Sequence, residues 1–244
     1  MQRTVCALVC MFFLSFSLLH AESIYIDFET LDGWRTIRFI AAGKESSYFP
    51  ERLDGDNVLQ IKSDDGISGI VFDKLIDLEE TPILEWRWRI EDFPSGADLR
   101  FKETDDSPLR LYVMFEYENG KMPLSERLKY SFIKVLYGEF PPKSILGFVS
   151  TENEFLEPVL QSTINSRTRY VDMNAYATAC DGDVADGHSG TPWCTAEADI
   201  VAIATGAFGE LPSSKARIAL IGDSDSTRDN TIGYLDYVEV RARP

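Results

Sequence analysis

The sequence Ile83-Leu-Glu-Trp-Arg-Trp-Arg-Ile90 carries, from its second residue onward, apolar side chains at every second position with charged side chains between them. Successive side chains of a β-strand point to opposite faces of the sheet. The period of two therefore predicts a strand that buries Trp86 and Trp88 and turns Arg87 and Arg89 outward.

The same period recurs along the rest of the chain and predicts roughly ten strands. The other runs are residues 24–28, 58–62, 67–72, 109–117, 145–149, 167–173, 217–221 and 232–240. The pair Asp65-Gly66 between two of these runs predicts a β-hairpin, because both central positions of such a turn take positive φ.

Two segments have helical character. Apolar residues at helical spacing predict a helix from Pro123 to Tyr137, and an Ala-rich composition predicts another from Thr195 to Thr205. Because helices do not alternate regularly with the strands, a parallel α/β sheet is disfavoured. The sequence predicts a mainly β protein, a jelly-roll-like antiparallel β-sandwich with one or two inserted helices.

Residues 1–21 have the features of a secretory signal peptide, with a positive charge at Arg3 and an apolar run from Val5 to Leu19. The run is shorter than the ~20 apolar residues of a membrane span. An uncleaved anchor helix and a lipid on Cys10 are the alternatives. Export predicts a periplasmic or extracellular protein whose residues 22–244 form a single β-sandwich domain without a membrane span.

The chain is strongly acidic, with a net charge of −16. Nucleic-acid binding rests on Lys and Arg against phosphate, so we expect no nucleic-acid partner. The same charge disfavours anionic membrane surfaces and is compatible with neutral ligands, cations and basic partners.

Two cysteines, Cys180 and Cys194, remain after the predicted signal peptide, and in an oxidising compartment they are expected to form one disulfide. The segment between them is rich in Gly and Asp. A calcium loop at Asp181, Asp183 and Asp186 is the alternative interpretation, since hard cations bind such oxygens.

The residue inventory disfavours several catalytic classes. His188 is the one histidine outside the predicted signal peptide, whereas zinc hydrolases use two or three histidine ligands. No neighbour in the sequence is expected to hold His188 as the base of a Ser-His-Asp triad. Chemistry by carboxylates, Tyr, Lys or Arg remains, as does no chemistry at all.

Six charged residues lie in or beside two strong strands that could share a polar face. They form the expected ligand site: Arg87, Arg89, Arg100, Asp105, Asp106 and Arg110. Arg offers a planar fork of donors and Asp accepts hydroxyl hydrogens, so the expected ligand is a glycan or another polar small molecule. The four tryptophans offer a stacking surface, although Trp86 and Trp88 are expected in the core.

Two other classes of function stay open. A carboxylate-based glycosidase or lyase would use Asp98, Asp105 or Asp106, since glycoside hydrolysis needs two facing carboxyl groups. A second acidic cluster, at residues 223–229, lies just after a strand. The third class is a structural envelope protein that binds another protein.

An ordered set of motifs from about residue 57 to the C-terminus resembles an uncharacterised bacterial family, domain of unknown function 3047. The motifs include Leu84-Glu-Trp-Arg-Trp-Arg-Ile90, Gly96-Ala-Asp-Leu-Arg100, Pro123-Leu-Ser-Glu-Arg-Leu128 and Ala219-Leu-Ile-Gly-Asp-Ser-Asp-Ser-Thr227. The resemblance implies an exported protein without an assigned activity. The segment from Cys180 to Cys194 is an insertion relative to this pattern, and Gly233-Tyr-Leu-Asp-Tyr237 departs from it.

The two ends of the domain are similar, more loosely, to those of jelly-roll carbohydrate-binding modules. In such modules the first and last strands are neighbours and often hold a structural calcium. The resemblance implies Asp27, Glu29 and Asp236 as candidate calcium ligands here.

Overall fold

The computed structural model describes residues 22–39, 43–53, 55–137, 141–152, 159–161, 167–181 and 191–244. The signal peptide predicted for residues 1–21 lies outside them, as do Asp183, Asp186 and His188.

Two sheets form a sandwich. The seven-stranded sheet has the order β12-β13-β7-β15-β4-β3, with β1 also paired to β15. Its strands are β1 (Ile24–Ile26), β3 (Ser47–Leu53), β4 (Asp56–Asp64), β7 (Ile83–Asp92), β12 (Ala177–Cys180), β13 (Cys194–Asp199) and β15 (Asn230–Arg241).

The eight-stranded sheet has the order β10-β11-β9-β8-β14-β5-β2, with β6 paired to β14. Its strands are β2 (Trp34–Arg38), β5 (Ile67–Phe72), β6 (Ile76–Asp77), β8 (Ser107–Phe115), β9 (Ser144–Val149), β10 (Val159–Gln161), β11 (Thr168–Asp172) and β14 (Lys215–Asp223). The predicted mainly β sandwich is confirmed, with one difference. β9 and β11 run parallel, because the chain returns as the antiparallel edge strand β10 before β11 pairs between β10 and β9.

The core lies between the sheets and is built by the predicted alternation. Trp86, Trp88 and Ile90 are buried on the inner face of β7, as predicted. The Trp86 ring lies 4.8 Å from the ring of Phe148 in the opposite sheet, measured between centroids. Every second residue of β7 is thereby turned away from the core.

The predicted hairpin at Asp65-Gly66 is wrong. β4 pairs with β15 and β3, whereas β5 pairs with β14 and β2, so this turn carries the chain from one sheet to the other. Asp65 has φ +49°, but Gly66 is not in the positive-φ region. Ile61 and Ile70 enter the core from opposite sides, which two strands of one sheet could not achieve.

Both helix predictions need correction. The segment 123–137 forms two short helices, α1 (Leu124–Lys129) and α2 (Ser131–Tyr137), which are separated at the buried Tyr130. The Ala-rich segment begins as the strand β13, which pairs with β7 in the same sheet. Ala196 and Ala198 lie on its buried face.

The third helix, α3 (Ile200–Phe208), starts only after β13. The Asp199 side chain caps it by accepting a hydrogen bond from the Ala202 N–H at 3.0 Å. No helix among the described residues is long and apolar enough to cross a bilayer.

The predicted disulfide is confirmed. Cys180 and Cys194 stand directly opposite each other on β12 and β13 and are bonded. A stable disulfide indicates an oxidising compartment, which agrees with export.

We expect reduction of this disulfide to lower the free energy of unfolding by roughly 3 kcal/mol, because a loop of this length is then unconstrained in the unfolded chain. Denaturant unfolding with and without reductant measures the change, and the Cys180→Ser/Cys194→Ser variant should match the reduced protein. An unchanged midpoint on reduction would contradict the expectation.

Candidate functional site

The six predicted ligand residues do not share one face. Arg87 and Arg89 lie on β7 in the seven-stranded sheet, whereas Arg110 lies on β8 in the eight-stranded sheet. The two strands face each other through their apolar sides, so their polar side chains point to opposite sides of the sandwich. The expectation of a shared polar face is therefore wrong. Arg87 and Arg89 form one group, Asp105, Asp106 and Arg110 form a second, and Arg100 belongs to neither.

The first group is the Trp193 face, on the outside of the seven-stranded sheet. We define it by Arg87 and Arg89 of β7, Tyr234 and Asp236 of β15, and Trp193, which precedes β13. Backbone bonding brings Trp193 there, since the Thr191 N–H donates to the Ile90 carbonyl at 2.8 Å.

Arg87 is the ionic centre of the Trp193 face. Its guanidinium donates to Asp236 at 2.5 Å and to Asp181 at 2.6 Å. The guanidinium carbon also lies 4.9 Å from the centroid of the Trp193 ring, within range of a cation–π interaction. Arg87 thus contacts strand β15 through Asp236, the start of the disulfide segment through Asp181, and its end through Trp193.

Arg89 is held mainly by aromatic rings. Its guanidinium carbon lies 5.8 Å from the Trp193 centroid and 5.5 Å from the Tyr234 centroid. It is 3% exposed, its contact to Glu91 is 3.5 Å, and its Nε has no partner among the described residues. The rings therefore provide much of the environment of this buried cation.

A bulge in β15 extends the aromatic surface. Tyr234 and Tyr237 are three residues apart, which in a regular strand would place them on opposite faces. The register shifts between Leu235 and Tyr237, so both rings lie outside. Tyr237 stacks on Tyr25 of β1, with centroids 5.4 Å apart, and Tyr25 is 59% exposed.

The expected calcium ligands are not assembled. Asp236 is paired with Arg87, and the Asp27 carboxylate accepts a hydrogen bond from the Glu29 N–H at 3.2 Å. Within the described ranges, the group of three acids with ligand atoms within 4.8 Å of one another is Asp106, Asp223 and Asp225. Asp27, Glu29 and Asp236 form no such group.

The second group is the Arg110 cluster, on the outer face of the eight-stranded sheet. We define it by Asp105, Asp106, Arg110, Tyr170, Asp223 and Asp225. Arg110 of β8 and Asp223 of β14 form an ion pair of 2.8 Å, with both side chains almost fully buried. Arg110 also donates to the Tyr170 hydroxyl at 3.0 Å and to the Asp105 carbonyl.

A glycine makes room for the aromatic part of this cluster. The Tyr112 and Tyr170 rings stack, and their hydroxyls are 2.7 Å apart. A Cβ on Gly147 of β9 would lie 2.8 Å from atoms of both rings. The rings can therefore lie on the sheet only because this position has no side chain.

Asp106 fixes the loop after β14. Its carboxylate accepts hydrogen bonds from the Ser226 N–H at 3.1 Å, the Thr227 N–H at 2.6 Å and the Thr227 hydroxyl at 2.5 Å. These hydrogen bonds hold the Asp106 carboxylate in place, and Arg110 places a positive charge beside Asp223.

Burial raises the pKa of two other acids of the cluster, Asp223 and Asp105. Desolvation, reinforced by the charges of Asp106 and Asp225, raises the pKa of Asp223 to about 8 against the opposing effect of Arg110. Desolvation also raises the pKa of Asp105. Carboxyl groups with raised pKa values are found more often at functional sites than elsewhere.

Arg100 and Asp98 stand apart from the Arg110 cluster. The Arg100 guanidinium donates to both Asp98 oxygens, at 2.8 and 2.5 Å, and is itself more than half exposed. The hydrogen bond from Arg100 lowers the pKa of Asp98. This pair has the geometry of a surface-loop ion pair.

Sequence reasoning missed the partners that come from distant strands. Tyr170 lies in the run 167–173, which predicts a strand and no site, and Asp223 belongs to the predicted acidic cluster without a named partner. Trp193 is predicted as part of a stacking surface, but without its arginine partners. The position of Asp223 directly after a buried strand was the one available signal.

Solved structures of similar fold include two lectins. One is the winged bean acidic lectin complexed with methyl-α-D-galactose, at 10% identity and a TM-score of 0.39, covering 91% of this chain and 99% of the lectin. The other is the metal-free lectin I-B4 from Griffonia simplicifolia, at 10% identity and a TM-score of 0.36, covering 92% and 100%.

No curated protein matches the chain. The model of one family matches residues 32–239, which is most of the sequence. The chain therefore belongs to the family described as protein of unknown function, DUF3047.

Proposed function

We propose that the protein is a non-catalytic binding domain for a carbohydrate or a similar polar ligand, and that the ligand binds on the Trp193 face. The observation that carries the proposal is the placement of aromatic rings beside a fixed Arg–carboxylate pair on the outer face of one sheet.

The chemistry of this face suits a sugar. Aromatic rings present flat apolar surfaces to the C–H groups of a sugar, and Tyr25, which stacks on Tyr237 beside the Trp193 face, is 59% exposed. Arg87 supplies planar donors and Asp236 accepts hydroxyl hydrogens. Arg87 and Asp236 are partly exposed yet held by each other, so a ligand would meet an ordered surface.

We expect Tyr25→Ala and Trp193→Ala each to weaken glycan binding at least about tenfold, because hot-spot aromatics carry most of the energy of such contacts. A glycan array followed by titration calorimetry with the best ligand measures the effect. Phe101→Ala is the matched control, since Phe101 is an exposed aromatic on a different surface.

The control variant should bind as the wild type does. Unchanged ligand binding by the Trp193→Ala protein, with its fold verified by circular dichroism, would refute the Trp193 face as the binding surface.

A carboxylate-based glycosidase or lyase is the second candidate function, and the raised pKa values of Asp105 and Asp223 favour it. One carboxylate oxygen from each of Asp106, Asp223 and Asp225 also lies within 4.8 Å of the others, and glycoside hydrolysis needs carboxyl groups that converge. Asp106 and Asp223 are buried, however, and both are engaged by donors. This burial is why we prefer the binding domain.

The raised pKa of Asp223 predicts a specific pH dependence. The folded protein holds this proton more tightly than the unfolded chain, so the contribution of Asp223 to stability is complete below about pH 4. It is lost as the pH rises towards about 8. The slope from this group is at most about 1.4 kcal/mol per pH unit.

We therefore expect the difference in unfolding free energy between wild type and Asp223→Asn to fall as the pH rises through this window. Urea unfolding at several pH values measures it. Asp98→Asn is the control with the opposite sign, since a lowered pKa gives stability that is lost as the pH falls. If the difference in unfolding free energy between wild type and Asp223→Asn does not fall with rising pH, the pKa of Asp223 is not raised in the folded protein.

A further inference from the structure

The helices α1 and α2 carry an apolar stripe that faces water. Leu124 is 72% exposed, and Leu128 and Phe132 are each 69% exposed. These are the largest exposures among the large hydrophobic side chains of the described residues. A contiguous exposed apolar surface of this kind marks an interaction site more often than isolated apolar residues do.

The stripe follows from helix geometry. Leu124 and Leu128 are spaced by four in α1 and therefore lie on one side of it, and Phe132, exposed to the same degree, lies in the first turn of α2. The opposite side is anchored to the sandwich. Tyr130 is buried, and the Tyr117 hydroxyl donates to Glu126 at 3.4 Å. The helices are thus held with their apolar side outward.

The segment that carries the stripe has a local excess of bases, although the whole chain is acidic. Residues 121–134 contain four bases and one acid, against a net charge of −16 for the protein. The bases are Lys121, Arg127, Lys129 and Lys134. Charges farther away than about 8 Å are largely screened at physiological ionic strength, so the local excess of bases governs the electrostatics of a docking surface here.

The position in the fold separates this surface from both groups described above. α1 and α2 connect the end of β8 to the start of β9, whereas Arg110 lies near the start of β8. They therefore lie at the opposite end of the eight-stranded sheet from the Arg110 cluster. The Trp193 face belongs to the other sheet.

We propose that the α1–α2 surface docks on an anionic lipid bilayer, with Leu124, Leu128 and Phe132 inserted at the interface and the surrounding bases on lipid headgroups. Apolar residues on one helix side with flanking Lys and Arg are the features of helices that lie in a membrane interface. The general expectation that so acidic a protein avoids such membranes is overridden locally. The sandwich remains outside the bilayer.

Co-sedimentation with vesicles tests the proposal, with the chain as processed by an exporting host. We expect binding to vesicles of equal parts phosphatidylglycerol and phosphatidylcholine, weakening with added salt, and little binding to phosphatidylcholine alone. Leu128→Ser/Phe132→Ser should weaken binding at least about tenfold. Lys121→Gln/Lys129→Gln should reduce both the binding and its salt dependence.

A matched control removes two apolar side chains elsewhere. Leu75 and Phe101 are also exposed, and the Leu75→Ser/Phe101→Ser variant should bind vesicles as the wild type does. Because all these positions are exposed, the variants should keep the wild-type melting temperature.

Three results would overturn the proposal: no binding to anionic vesicles, equal binding to both vesicle types, or unchanged binding by Leu128→Ser/Phe132→Ser. Self-association that this variant abolishes, without any vesicle binding, would instead assign the surface to a second copy of the chain.

Discussion

The contact between Trp86 and Phe148 across the two sheets is the constraint on which the arrangement of this protein depends. It fixes which side chains of β7 face the core. Because successive side chains of a strand point to opposite faces, the residues between them face outward. Arg87 and Arg89 must point outward, where Trp193 and the side chains of β15 meet them. The polar surface of the seven-stranded sheet is therefore a consequence of how its apolar side packs.

The fold class was predictable because alternation is a local property of the chain. The identity of the inward side chains on β7 could be predicted for the same reason. The pairing of Cys180 with Cys194 was predictable because only two cysteines follow the predicted signal peptide. Sheet membership is not local. A turn signal such as Asp65-Gly66 has the same residues whether the next strand pairs with its predecessor or crosses to the other sheet. The Ala-rich β13 likewise needed its partner β7 to be recognised as a strand.

The candidate sites were only half predictable. Arg87 and Arg110 are 23 positions apart in the sequence, yet they lie on opposite sides of the sandwich. The partners that determine their environments come from β14, β15 and the segment beside the disulfide. The β-bulge at Asp236 places Tyr234 and Tyr237 on the same face of the sheet. Such a bulge has no strong signature in the sequence. Charge alone could thus identify the residues but not their grouping.

The pairing of β15 also affects how fast the protein folds. This last strand is the partner of β1, β4 and β7, so it joins residues from both ends of the chain. Contacts between such distant segments require the closure of long loops, which slows folding. The seven-stranded sheet therefore cannot form its central pairings until β15 is in place. Removing β15 would separate β1, β4 and β7 from one another at once, whereas removing the edge strand β3 would leave those pairings intact.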